Sequence, residues 1–242
     1  MQLGKVSALI LCAGQGKRIG GCISKQFIEI SGHPLIAYTV KKFQEHPLID
    51  NIVLVTREEY IKYCQKDIVE KYGFTKVINI VSGGEERQDS VYSGLQNLDD
   101  TTSWVVVHDG VRPLISLQTI DNVLKVAFEK KAAVVGVPAK DTIKIINPDF
   151  TVQGTPPRQS LWHVQTPQVF EKKLILKAYT EAKLSGLRGT DDASLVENMG
   201  VEVHMVRGEY ENIKVTTPED LMFIQGKVKL DGLDSIKRRN VN

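Results

Sequence analysis

Short apolar runs alternate with longer segments of mixed polarity along most of the chain. Five runs have the length and texture of strands buried on both faces. They are 6–13, 51–56, 77–81, 104–108 and 132–138. The intervening segments with helical spacing or caps are 35–45, 58–72 and 115–131, and a further helix begins within 82–90. This alternation predicts parallel βαβ units, whose ligands bind beyond the carboxyl ends of the strands.

The rhythm breaks after residue 138. The alternating run 141–146, a turn at 147–149 and a second short β run at 151–153 predict a β-hairpin arm over about 139–160. Such an arm cannot bury its apolar face alone, and the same arm of a second subunit is the expected partner.

The rest of the chain predicts further elements that complete the domain. They are a helix at 170–185, a helix capped by Thr190 or Asp191, a strand at 201–207 and a last helix with Pro218 in its first turn. The predicted fold is a single Rossmann-like α/β domain over 1–230, with a mostly parallel twisted sheet flanked by helices. A polar tail follows at 231–242.

Composition excludes several classes of protein. The 242 residues are 42% apolar and 25% charged, which is typical of a soluble globular protein. A formal charge of +2 argues against a dedicated nucleic-acid binder. Cys12, Cys22 and Cys64 have no metal-ligand spacing, and so few cysteines suit a reducing cytoplasm. We find neither the pattern of a signal peptide nor a run long enough to span a membrane.

A glycine-rich basic loop directly follows the first predicted strand. Its glycines and cations are Gly14, Gly16, Lys17, Arg18, Gly20, Gly21 and Lys25. Glycines bring backbone N–H groups close to a ligand, so the loop predicts a phosphate cradle. The glycine spacing misses the dinucleotide fingerprint by one residue, and Cys22 stands where a P-loop needs lysine. A plain solvated turn is the remaining alternative.

Polar residues also follow the later predicted strands. Arg87 and Ser90 begin a helix, where they either bind an anion or serve only its cap. Asp109 is a natural Mg²⁺ ligand, unless it simply pairs with Arg112. Lys214 alternates with apolar neighbours, so its side chain points either into the site or into solvent.

Several of these segments resemble one family. The run from Ala13 to Gln26 resembles the N-terminal signature of the sugar-nucleotide and polyol-phosphate nucleotidyltransferases, although Ile19 replaces the usual Met and Ser24 the usual Pro. Residues 108–113 resemble the family motif His-Asp-Gly/Ala-x-Arg-Pro. The segments that resemble the methylerythritol phosphate cytidylyltransferase branch are 141–144, 158, 161–168, 190–194 and 212–216.

The resemblance implies a set of functional residues. The implied catalytic cations are Arg18, Lys25, Arg158 and Lys214. The residues expected to bind substrate are Cys12, Ala13, Gly14, Gly16, Gly84, Glu85, Ser90, Asp109, Arg112, Thr142, Thr166 and Thr190. Asp109 is also the expected ligand of Mg²⁺, the one cofactor we expect.

The implied reaction is attack by the phosphate of a polyol phosphate on the α-phosphorus of CTP, with release of pyrophosphate. The resemblance also implies a homodimer formed through the arm, with Arg158 serving the partner's site. Ribitol 5-phosphate is the alternative substrate. A nucleotide-binding regulator without turnover is an alternative of another class, and a nicotinamide-dependent oxidoreductase is disfavoured because no acid follows at the ribose-binding distance.

Overall fold

The computed structural model describes residues 4–14 and 24–228. The predictions for Gly16, Arg18 and the polar tail therefore fall outside the described residues.

A seven-stranded sheet forms the centre of the described chain. Its strands are β1 (Lys5–Leu11), β4 (Asn51–Thr56), β5 (Val77–Ser82), β6 (Thr102–Asp109), β7 (Ala132–Pro138), β10 (Trp162–Glu171) and β11 (His204–Arg207). They lie in the order β11-β7-β10-β6-β1-β4-β5, and all are parallel except β10, which runs antiparallel to both neighbours. Two small antiparallel pairs lie outside it: β2 (Glu29–Ile30) with β3 (His33–Pro34), and β8 (Ile145–Ile146) with β9 (Val152–Gly154).

Helices cover both faces of the sheet and divide the buried apolar residues into two core layers. The helices of the first layer are α1 (Leu35–Glu45), α2 (Ile61–Tyr63), α4 (Leu117–Lys130) and α7 (Pro218–Val228). The helices of the second layer are α3 (Arg87–Gln96), α5 (Lys172–Ser185) and α6 (Asp192–Asn198). In the described part of the chain, no helix combines the length and apolar character that a membrane span needs.

The loops at the carboxyl ends of the strands are tied to neighbouring strands by backbone hydrogen bonds. Cys12 N donates to Val55 O at 2.7 Å, and Gly110 N donates to Leu11 O at 2.8 Å. At residue 110 a Cβ atom would lie 2.9 Å from Leu11 O, so the turn after β6 requires glycine. These bonds hold the loops after β1 and β6 side by side.

Most predicted elements are confirmed, and the predicted α/β fold with a mostly parallel sheet is correct. Several boundaries differ from the prediction by two or three residues. Phe170 and Glu171 end strand β10 and do not begin a helix, and β11 begins at His204 and not at residue 201. The sequence pattern does not predict a strand over 162–171, because apolar and polar residues do not alternate cleanly there. The predicted helix at 58–72 includes a π-helix over Cys64–Glu70, which follows α2 directly.

The predicted arm contains the hairpin β8–β9. Its large apolar side chains are exposed: Ile145 by 48%, Ile146 by 54%, Phe150 by 83% and Val152 by 58%. Association through this arm stays a prediction.

We expect Leu54→Ala to lower the free energy of unfolding by about 2–5 kcal/mol, because Leu54 in β4 is fully buried and truncation leaves a cavity. Urea denaturation measures the change. The matched control is Leu184→Ala, because that side chain is 83% exposed and its truncation should change the free energy of unfolding by about 0.5 kcal/mol or less. Equal losses in the two variants would contradict the assigned core.

Candidate active site

A cavity of about 500 Å³ opens at the carboxyl ends of the adjacent strands β6, β1, β4 and β5. Each of these strands contributes its last residue or the loop that follows it. The lining residues are Leu11, Cys12, Ala13, Gly14, Lys25, Gln26, Arg57, Glu58, Glu59, Ser82, Gly83, Gly84, Glu85, Glu86, Arg87, Ser90, Asp109, Val111 and Lys214. This is the edge of a parallel sheet where ligands are expected to bind.

Asp109 is the last residue of β6 and is surrounded by cations. Lys214 Nζ lies 3.1 Å and Arg112 Nε 3.3 Å from its Oδ2 atom. Arg87 Nε lies 3.7 Å from the other oxygen, Oδ1. Asp109 thus makes the predicted pair with Arg112, and Lys214 lines the cavity. The role of Asp109 as a Mg²⁺ ligand stays a prediction.

Burial alone would favour the neutral acid at position 109, but the charges of Lys214, Arg87 and Arg112 outweigh it. Together they hold the pKa of Asp109 far below its usual value. The carboxylate therefore stays ionised at neutral pH. Arg87 also pairs with Asp192, so three cations stand against two carboxylates around this point. The immediate surroundings of Asp109 thus carry a local excess of positive charge, which suits an anionic ligand.

A second set of hydrogen bonds fixes the backbone around Asp109. Its N–H donates to Thr166 Oγ1 at 3.0 Å, and Arg112 Nη1 donates to Asn212 O at 2.8 Å. Asn212 Nδ2 in turn donates to Thr166 O at 2.9 Å. Asn212 is fully buried, and these bonds link β6, β10 and the loop that carries Lys214.

His108 lies directly behind this network. Its Nε2 atom is 3.2 Å from Arg112 O, and because a carbonyl only accepts, Nε2 carries the proton. Its Nδ1 atom then accepts from the Thr166 hydroxyl at 3.1 Å. Burial lowers the pKa of His108 to about 3, so the ring is neutral at physiological pH.

Lys25 begins the short 3₁₀ turn Lys25–Phe27 at the first strand's side of the cavity. The next residue anchors this turn, because the buried Gln26 donates from Nε2 to Cys12 O at 2.6 Å. Phe27 packs against Tyr60 and Tyr63 at ring distances of 4.8 and 4.9 Å. A buried amide and an aromatic cluster thus hold the backbone that presents Lys25.

The loop after β5 presents backbone groups to the cavity. Gly84 N donates to the buried Ser90 Oγ at 3.2 Å, and that hydroxyl donates to Glu86 O at 3.1 Å. At position 83 a Cβ atom would lie 2.8 Å from the Cβ atom of Ala13, so the loops after β1 and β5 approach too closely for a side chain. The loops after β1 and β5 are thus packed directly against each other at this side of the cavity.

The cavity collects most of the predicted site residues. The predicted site residues that line the cavity are Cys12, Ala13, Gly14, Lys25, Gly84, Glu85, Ser90, Asp109 and Lys214. Arg112 and Thr166 lie behind Asp109 and do not line it. Thr142, Arg158 and Thr190 are exposed away from its lining, and Arg158 donates from Nη1 to Lys140 O at 2.9 Å.

Sequence reasoning missed several residues of the site. Arg57 and Gln26 line the cavity although neither was a candidate. Asp192 is fully buried and accepts two hydrogen bonds from Arg87, at 2.8 and 2.7 Å. These two residues are far apart in sequence, and no spacing rule joins them. The only available signal was a second acid beside the cap residue Asp191.

Within the described residues there is no group of three or more acids, histidines or cysteines that could hold a metal ion alone. Asp109 could contribute one carboxylate oxygen, and its Oδ1 atom has the looser contact, 3.7 Å from Arg87. Mg²⁺ commonly takes one or two carboxylates and completes its shell with phosphate oxygens and water. The donor set therefore fits a metal that arrives with a nucleotide.

Comparison with known proteins connects this geometry to a family. Residues 6–229 match the family model described as IspD, 2-C-methyl-D-erythritol 4-phosphate cytidylyltransferase. A relative of that name from Caldanaerobacter subterraneus is 48% identical over 217 residues, covering 90% of this chain and 96% of the relative. Another of that name, from Clostridioides difficile, is 46% identical over 233 residues, covering 96% and 98%.

Solved structures agree with the sequence comparison. The crystal structure of 4-diphosphocytidyl-2C-methyl-D-erythritol synthase from Anaerococcus prevotii superposes with a TM-score of 0.83 at 35% identity, covering 93% of this chain and 99% of that one. The Francisella tularensis 2-C-methyl-D-erythritol 4-phosphate cytidylyltransferase superposes with a TM-score of 0.79 at 28% identity, covering 92% and 99%. The predicted family is confirmed, and this chain belongs to the 2-C-methyl-D-erythritol 4-phosphate cytidylyltransferases.

Proposed function

We propose that the chain transfers the cytidylyl group of CTP to 2-C-methyl-D-erythritol 4-phosphate and releases pyrophosphate, a reaction of non-mevalonate isoprenoid synthesis. Membership of the family supports this reaction. The observation that carries the proposal is that Lys25 and Lys214 line one cavity together with the ionised Asp109. Two phosphates can meet there beside fixed positive charges.

The bond changes need little covalent help from the protein. A phosphate oxygen of the polyol phosphate attacks the α-phosphorus, and the bond to the bridging oxygen of pyrophosphate breaks. The attacking phosphate is already ionised at neutral pH, so no general base is needed. Positioning and electrostatic stabilisation are then the main sources of rate.

The histidine and the cysteine near the cavity are consistent with a reaction that needs no general base and no covalent intermediate. His108 is held neutral with both ring nitrogens hydrogen bonded, so it serves the fold and not proton transfer. A hydrogen bond with Cys64 and burial raise the pKa of the Cys12 thiol, which keeps it from acting as a nucleophile. The cations remain as the groups that act on the substrates.

We assign a role to each cation from its position in the sequence and in the cavity. Arg18 and Lys25 stabilise charge on the pentacoordinate phosphorus and on pyrophosphate, and Lys214 holds the attacking phosphate. The backbone of Ala13, Gly14 and Gly84, with Ser90, binds the cytidine end. Of these residues, only Arg18 lies outside the described ones.

Mg²⁺ would be held by Asp109 and by the triphosphate. When bound it neutralises part of the triphosphate charge and acts as a Lewis acid at phosphate oxygen. Arg112 contacts Oδ2 of Asp109 and so keeps the carboxylate in place. Its buried guanidinium is better suited to that task than to binding substrate.

Arg158 and Thr142 belong to the predicted arm and are exposed on their own chain. We propose a homodimer in which the arm carries Arg158 and Thr142 to the partner's cavity, where Arg158 grips the polyol phosphate. The exposed Ile146, Phe150 and Val152 support this, because an apolar arm is stabilised when a second copy covers it. We propose a cytoplasmic location, which suits the free thiols of Cys12 and Cys64.

The experiment that tests the function is a competition assay. Equal concentrations of 2-C-methyl-D-erythritol 4-phosphate and ribitol 5-phosphate are mixed with CTP, Mg²⁺ and the enzyme, and both cytidine diphosphate products are measured by mass spectrometry. We expect the methylerythritol product to dominate. A dominant ribitol product would favour the alternative substrate, and no product from either would favour a regulator without turnover.

We expect Lys25→Ala to lower kcat by about 10²–10³-fold, because it removes one preorganised charge from the transition state. Pyrophosphate release under saturating substrates measures it. A suitable control is Lys177→Ala, since Lys177 pairs with Glu181 on the surface of α5 and does not line the cavity. An unchanged kcat for Lys25→Ala would remove this lysine from the chemistry.

Mixed dimers test whether Arg158 acts on the partner's site. When Lys25→Ala and Arg158→Ala chains are coexpressed, half of the randomly assembled dimers are mixed, and each mixed dimer has one intact site. We therefore expect about a quarter of wild-type activity, from two variants that are nearly inactive alone. Arg158 acting within its own chain would give no recovery.

The buried neutral His108 makes stability depend on pH. An unfolded histidine titrates near 6.5, so only the unfolded chain gains this proton as the pH falls from about 6.5 to about 3. The free energy of unfolding should therefore fall with pH in this window. His108→Gln should remove about 2 kcal/mol of the change between pH 7 and pH 5, measured by urea denaturation.

The control for this measurement is the same substitution at the exposed His163, which leaves the contribution of His108 to the pH dependence in place. If His108→Gln and the wild type lost stability in parallel between pH 7 and pH 5, His108 would not be neutral in the folded protein.

A further inference from the structure

A chain of charged and polar groups leads away from the cavity through Arg87, the first residue of α3. Both Nη atoms of Arg87 donate to Asp192, at 2.8 and 2.7 Å, while its Nε atom faces Asp109 at 3.7 Å. The hydroxyl of Tyr179 on α5 donates to Oδ1 of the same Asp192. Of these four residues, Arg87 and Asp109 line the cavity and the other two do not.

Both Nη atoms of the guanidinium are engaged in this arrangement. A two-pronged Arg–carboxylate pair is among the strongest and most directional contacts in proteins. Burial disfavours the charge on Arg87, but Asp192 outweighs that effect and the pKa of Arg87 is raised. Arg87 therefore keeps its charge while its fork points away from the cavity.

The simplest explanation of the pair between Arg87 and Asp192 is a structural link between α3 and α6. Such a link does not require the further contact of Arg87 with Asp109, the carboxylate that also holds Lys214 at 3.1 Å. α6 is itself fixed by Gln168, whose Oε1 accepts from Ala193 N at 3.0 Å. Asp192 therefore lies at the start of a helix that Gln168 holds in place, and Arg87 lies between Asp192 and Asp109.

We propose that Asp192 and Tyr179 are positioning residues of the nucleotide site, which act through Arg87. They hold the guanidinium so that it steadies Asp109, and with it Lys214, and they keep it from turning onto the nucleotide phosphates. The inference rests on the proposed function of this cavity.

The charges explain what the loss of this support would do. Asp192 matches the charge of Arg87, which leaves Asp109 to be shared by Arg112 and Lys214. Without that match the guanidinium would be drawn to the triphosphate. CTP would still bind, but Asp109 and Lys214 would lose their fixed places, and a misplacement of about 1 Å can lower a rate about 100-fold.

The main test is Arg87→Lys, which keeps the charge and removes the fork. We expect kcat to fall about 10-fold or more, while the Kd of CTP, measured by titration calorimetry without the polyol phosphate, changes about threefold or less. The matched control is Arg188→Lys, because Arg188 makes an exposed pair with Asp89 of the same α3. That variant should keep the wild-type kcat.

Two further variants test the residue that contacts Arg87 on the side away from the cavity and the tyrosine behind it. Asp192→Asn should show the same separation of kcat from the Kd of CTP, and in combination with Arg87→Lys it should lower kcat no further. Tyr179→Phe should lower kcat only about two- to fivefold, because Asp192 keeps both bonds from Arg87. If Asp192→Asn does not fold, Arg87→Lys and Tyr179→Phe still decide the question.

Three results would overturn the inference. Wild-type kcat in Arg87→Lys would mean that charge alone suffices. Equal losses of kcat and CTP affinity would mean that Arg87 binds a phosphate directly. A loss of kcat that matches only the unfolded fraction, measured by Tm and circular dichroism, would mean that the pair only links two helices. Failure of the proposed function is distinct, because the wild type itself would then form no product.

Discussion

The structure depends on one buried carboxylate held among three cations at the end of β6. Asp109 is ionised because Lys214, Arg87 and Arg112 surround it, and each of these cations comes from a different part of the chain. A buried charge without such partners would be strongly destabilising. The fold therefore brings these segments together at the place where the site needs positive charge.

The parallel sheet makes this arrangement possible. The strands β6, β1, β4 and β5 end at one edge, so four loops surround a single cavity. Hydrogen bonds such as Gly110 N to Leu11 O lock those loops together. Gln26 and Asn212, which are buried polar residues, anchor the backbone that carries Lys25 and Lys214. The backbone segments that carry these cations are thus held in place before any substrate binds, and such preorganisation is the condition for electrostatic catalysis.

The sequence was informative where local patterns decide the structure. Buried apolar runs gave the parallel strands, and the residues just after them gave most of the cavity lining, including Lys25 and Asp109. Strand β10 was missed because it mixes polar residues that serve the site, such as Thr166, with apolar ones. The contact of Arg87 with Asp192 joins residues 105 positions apart, and no local rule predicts such a pair. Arg158 is exposed on its own chain, and patterns within one sequence do not predict how a second copy would be placed against it.

The central claim is that this one cavity brings two phosphates together between fixed cations. A crystal structure with a non-hydrolysable CTP analogue and 2-C-methyl-D-erythritol 4-phosphate tests it most directly. We expect a phosphate oxygen of the polyol about 3–3.5 Å from the α-phosphorus, in line with the leaving oxygen, with Lys25 and Lys214 on either side. A polyol phosphate bound outside the cavity, or a Lys214 that contacts neither substrate, would contradict the claim.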